Sequence, residues 1–92
     1  MKITIVEFIK AYLNGRLNAD IFAPAYIELY RIERDNNNLL DYTDAINSFL
    51  FSVFCLTDLY NGDSEKADYE LSCHELKEKI KAEYLLQLKE LF

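Results

Sequence analysis

Apolar residues recur at helical spacing in four separate stretches of this chain, and residues that start or stop helices lie between them. The first stretch holds Ile5, Phe8, Ile9, Tyr12 and Leu13. Gly15 supplies its stop, because glycine enters the left-handed region without a steric penalty. Thr4 and Glu7 have the spacing of a capping box, with Ile3 and Phe8 placed as a hydrophobic staple around it. A first helix is therefore expected over about residues 5–14.

Asn18 suits the N-cap of a second helix, and Asp20 favours its first turn. Ile21, Phe22, Ala25, Leu29 and Ile32 are its expected buried stripe. Pro24 removes a hydrogen bond inside a helix, so the helix either kinks there or begins near it. Asn36-Asn37-Asn38 reads as the following loop. A third helix is expected from about Tyr42 to Tyr60, with Ala45, Phe49, Val53, Leu56 and Tyr60 on one line. Ile46, Leu50, Phe54 and Leu59 widen that line to most of the circumference, the pattern of a central helix. Asn61-Gly62 ends it. Ser72 and Glu75 form a second capping box, ahead of the stripe Leu76, Ile80, Tyr84, Leu88 and Leu91. The fourth helix is expected over about residues 73–90, with Glu75 and Lys79 as a supporting pair.

No segment alternates convincingly with period two, and two glycines and one proline are too few for a turn-dense β fold. Ninety-two residues, 51% of them hydrophobic, make one small domain over residues 1–92. The expected fold is all-α, an antiparallel four-helix bundle.

Charge is segregated along this framework. No Lys or Arg occurs from Asp35 to Glu65. Residues 35–70 hold eight acids and one base, whereas the rest of the chain holds eight acids and nine bases. Such a surface repels nucleic acid and anionic membranes and attracts a basic partner. The Lys77, Lys79 and Lys81 series is interleaved with Glu75, Glu78 and Glu83, the mark of a solvated, salt-bridged face. Glu7 interrupts what would have to be the apolar core of a signal peptide. The longest uncharged stretch, Ala45 to Thr57, falls well short of the ~20 residues of a membrane span. The expected location is cytoplasmic, and Cys55 and Cys73 are expected to be reduced thiols there. Cys55, within the run Phe51-Ser52-Val53-Phe54-Cys55-Leu56, is expected to be buried and inert.

Catalysis finds no constellation. His74 is the only histidine, and its neighbour Cys73 points about 100° away around a helix, so no Cys–His pair is expected. Nucleophile elbows and phosphate-binding glycine loops are absent. An EF-hand register on Gly62 would place Thr57 and Leu59 at ligand positions, which excludes that calcium motif. Two cysteines and one histidine also fall short of a structural zinc site. No enzyme, metal or cofactor is expected.

The acids cluster at the end of the third helix and in the following loop, beside Tyr60 and Tyr69. Tyrosine next to charge is a typical interface composition. The candidate partner-binding residues are Asp58, Tyr60, Asp63, Glu65, Asp68, Tyr69 and Glu70.

The segment from Val53 to Leu71 resembles the colicin D immunity protein family, one of the bacterial self-protective colicin-like immunity groups. In that family an apolar helix ends with acid-x-aromatic, here Asp58-Leu59-Tyr60. A turn with Asp-x-acid-basic follows, here Asp63-Ser64-Glu65-Lys66, and then a Tyr-Glu-apolar step, here Tyr69-Glu70-Leu71. Gly62 stands where the family pattern has Pro. The order and length of the helices agree along nearly the whole chain, although residues 53–71 carry the specific likeness.

This resemblance implies a four-helix bundle that silences a cognate basic nuclease toxin domain, one that cleaves tRNA. The acids would stand in for phosphates in the toxin's catalytic cleft, in a 1:1 complex with a monomer. Colicin-like and contact-dependent growth inhibition toxins are the expected class. Carried over by motif, the contacts are Asp58 and Asp63, followed by Glu65, Tyr69 and Glu70. Other readings of the same residues are a helical adaptor or antitoxin-like module for another basic protein, a homodimer formed through aromatic surface, and a small enzyme acting through His74.

Overall fold

The computed structural model describes residues 4–63 and 66–87. Helix α1 spans Thr4–Leu13, α2 Ala19–Asp35, α3 Asp44–Asp58 and α4 Cys73–Gln87, with a short 3₁₀ turn over Asn38–Asp41 between α2 and α3. The fold is all-α, a four-helix bundle. Helix α2 packs on α1, α3 and α4, and α3 also packs on α4.

The helix ends follow local chemistry. Gly15, at φ +83°, donates its N–H to the Tyr12 carbonyl, and Arg16 donates to Ala11, closing α1. The Asn18 side chain accepts the Ile21 N–H at 2.9 Å, so α2 begins at Ala19. Pro24 is therefore interior to α2, where its ring removes the N–H that would have reached the Asp20 carbonyl. At the other end Asn37 takes the left-handed conformation, at φ 61°, and turns the chain into the 3₁₀ turn. The Asn47 side chain pins that turn to α3 by donating to the Leu39 carbonyl at 2.8 Å. Ile46 N–H donates to the Thr43 hydroxyl, so α3 starts two residues later than expected. Thr4 already lies within α1, and the Ile3 half of the expected staple lies outside the described residues, as do Leu88 and Leu91.

The face of α2 that enters the core differs from the expected one. Ala19, Phe22, Ala23, Tyr26 and Tyr30 are buried, whereas Ile21, Ala25 and Ile32 are exposed and Leu29 is half-buried. Aromatic packing decides the phase. Phe22 stacks on Tyr12 with centroids 4.1 Å apart, and it also meets Phe8 and Tyr26. Tyr26 leads on to Tyr30, which packs against Phe54 at 4.7 Å. Such pairs add about 0.5–1.5 kcal/mol each beyond their buried area. The Tyr26 hydroxyl donates to the Leu50 carbonyl at 2.8 Å, which removes the cost of burying it.

Helix α3 contributes Ile46, Phe49, Leu50 and Val53 to the core, but it is not apolar-buried all round. Ala45, Phe51 and Cys55 face solvent. The expectation of a buried Cys55 is thus corrected: an apolar run of sequence passes over every face of a helix, and Cys55 falls on the outer one. Both cysteines are free and exposed.

Candidate functional site: an acidic loop closed at its neck

Leu59 and Tyr60 leave α3 instead of extending it. Leu71 N–H donates to the Leu59 carbonyl at 2.8 Å, and Asn61 N–H donates to the Leu71 carbonyl at 2.9 Å. Tyr60 and Leu71 thereby form an isolated parallel bridge that ties the two ends of the loop together. Leu71 is buried beneath this neck.

Within the loop, Glu70 turns inward. Its carboxylate accepts from the Asn61 side-chain amide at 3.2 Å to each oxygen and from the Ala67 N–H at 2.8 Å. Asn61 in turn accepts the Asp63 N–H at 2.9 Å, which fixes the backbone at Asp63. Glu70 is half-buried and acts as the internal brace of the loop. The base of the segment is also occupied: Lys66 Nζ lies 3.4 Å from Glu75 Oε1. Glu75 closes the capping box, accepting the Ser72 N–H at 3.0 Å while its own N–H donates to Ser72 Oγ at 3.2 Å. The Ser72 backbone bond holds the Glu75 carboxyl below the usual carboxylate range, helped by the Ser72 side chain and Lys66. The expected Glu75–Lys79 pair gives way to this arrangement.

The outward residues are Asp58, Asp63, Asp68 and Tyr69, the last 72% exposed. Asp58 ends α3, where no basic residue occupies the last turn and the negative end of the helix dipole disfavours an acid. With Lys66 drawn to Glu75, these three carboxylates have no ion-pair partner among the described residues. Glu65 lies outside the described residues.

Tyr60 is half-buried beside the neck, and its hydroxyl donates to Asp20 Oδ1 at 2.5 Å. That bond, reinforced by burial and by the charge of Asp20, pushes the Tyr60 phenol up to about 12. Sequence reasoning missed Asp20, which it assigned only to the helix start; forty residues separate it from Tyr60, and no local pattern reports such a contact. A Cβ at Gly62 would stand 2.7 Å from the Tyr60 hydroxyl and 3.1 Å from Asp20 Oδ1. Glycine at this position is therefore coupled to the Tyr60–Asp20 bond.

His74 and Cys73 are both exposed on the first turn of α4. They line a groove with Tyr12, Leu17 and Lys77, and the Lys77 ammonium sits 5.9 Å from the centre of the Tyr12 ring. No group of three or more His, Cys, Asp and Glu among the described residues is placed to hold a metal ion. No helix among them is long and apolar enough to cross a membrane.

A search among curated proteins finds no match to the chain. A family profile described as bacterial self-protective colicin-like immunity matches residues 1–88. Proteins of that family bind a cognate toxin and inhibit it, a task that asks for a complementary surface and not for catalysis. With nearly its whole length matched, the chain belongs to the colicin-like immunity family.

Proposed function

We propose that this protein neutralises a tRNA-cleaving toxin domain, of the colicin D or contact-dependent growth inhibition kind, by covering its basic catalytic cleft with the acidic loop. The observation that carries this reading is the outward trio Asp58, Asp63 and Asp68, which have no ion-pair partner among the described residues while Lys66 is drawn to Glu75. A nuclease that handles tRNA concentrates basic groups around the scissile phosphate, and a fixed set of carboxylates is complementary to that field. Close charge pairs at such interfaces couple by about 1.5–7 kcal/mol. Opposed fields also speed encounter, which an inhibitor needs against abundant tRNA. Tyr69 adds contact area with a polar tip, while Glu70 and Tyr60 hold the loop in shape.

Charge reversal tests the site. Asp58→Lys and Asp63→Lys are expected to keep the helical circular dichroism spectrum and to raise the Kd for the toxin domain at least about tenfold. Undiminished toxin neutralisation by both folded variants would sink the proposal.

A further inference from the structure

Helix α3 turns one narrow face away from the bundle. Asp44, Ser48, Phe51, Cys55 and Asp58 are all exposed, and their spacing keeps them on a single stripe of an α-helix. Phe51 lies at its midpoint, 57% exposed, with its ring 6.5 Å from that of Phe54. One exposed phenylalanine is unremarkable by itself. Its flanks are what give it meaning.

Asp44 and Asp58 stand seven residues on either side of Phe51, about 10 Å along the axis in each direction. No Lys or Arg occurs on α3. On the neighbouring α2, Arg34 acts on Tyr30 but pairs with Asp35 at 3.2 Å. A second copy of the chain fits this stripe badly. Two α3 helices laid antiparallel about Phe51 would set Asp44 of each against Asp58 of the other, and a parallel pairing would set each acid against itself. A basic protein with an apolar pocket between two cationic groups has the complementary pattern.

We propose that Phe51 is an apolar anchor of the toxin interface, seated in a pocket of the toxin domain while basic groups meet Asp44 and Asp58. This rests on the basic toxin partner inferred above and extends its contact from the loop along the outer face of α3. Buried aromatic anchors dominate the energetics of protein interfaces, and the surrounding charges select the partner.

The test titrates a catalytically inactive toxin domain, taken from the open reading frame adjoining this gene, into wild type, Phe51→Ser, Asp63→Lys and the off-stripe control Leu86→Ser. Phe51→Ser is expected to raise Kd about tenfold or more, and Leu86→Ser to leave it unchanged. Alkylation of Cys55 by N-ethylmaleimide in a Cys73→Ser background is expected to slow at least tenfold in the complex. An unchanged Kd for Phe51→Ser, with Cys55 still reactive in a complex that Asp63→Lys weakens, overturns the anchor and leaves the acidic loop standing. Absence of any binding by wild type removes both readings. A wild-type dimer in sedimentation that Phe51→Ser dissociates overturns the proposal in favour of a second copy.

Discussion

The Tyr60 hydroxyl ties the start of α2 to the end of α3 and the adjoining turn at Gly62, across forty residues of chain. Because Gly62 leaves no room for a Cβ, Gly62→Ala is expected to push the phenol off Asp20. The loss of that bond costs about 1 kcal/mol in urea unfolding. The same variant should bring the Tyr60 phenol down from about 12 towards its ordinary value of 10, read by ultraviolet titration. The sign of the linkage follows. A phenol whose folded pKa is raised contributes stability that is complete below pH 10 and is lost as pH climbs towards 12. The stability difference between wild type and Tyr60→Phe should therefore shrink across that alkaline window and stay level below it.

At the scale of elements, the loop and the helices obey different rules. Glu70 holds the loop by three hydrogen bonds that touch no helix core, so Glu70→Ala is expected to release the loop while leaving the bundle folded. Hydrogen exchange should show the Ala67 amide losing protection, with the amides of Phe49 and Leu50 unchanged. The same contrast explains what the sequence made legible. Asn18, Gly15 and the Ser72–Glu75 box act on backbone groups within five residues of themselves, so their spacing alone reveals them. Ile21 and Ile32 look like better core residues than Tyr26 and Tyr30, so pattern alone selects the wrong face of α2. Only the Leu50 carbonyl, twenty-four residues away, makes the Tyr26 hydroxyl welcome in the core. Of the site, the acids and tyrosines could be read directly. The inward turn of Glu70, the diversion of Lys66 to Glu75 and the arrival of Asp20 depend on chain folding and could not.

For the molecule as a whole, charge separation matters more than net charge. A chain of formal charge −6 concentrates its surplus of acids in residues 35–70, and the remainder is nearly balanced. On the proposed reading, that surplus of acids steers a basic partner before contact. Association with the toxin domain is expected to slow at least about tenfold between low and high salt, while dissociation changes far less. Stopped-flow measurements at about 20 and about 500 mM sodium chloride, roughly sevenfold below and threefold above physiological ionic strength, check this. Equal salt effects on both rates would mean that the acids act only after docking.

The two backbone bonds at the neck have a consequence for how such a protein changes with time. Leu59, Asn61 and Leu71 close the loop with main-chain atoms, which are the same for every side chain. Residues 63 and 66–69 can then be rewritten with little news reaching the core. On the reading proposed above, an altered toxin can be answered by altering this loop, while the bundle that carries it keeps its old design.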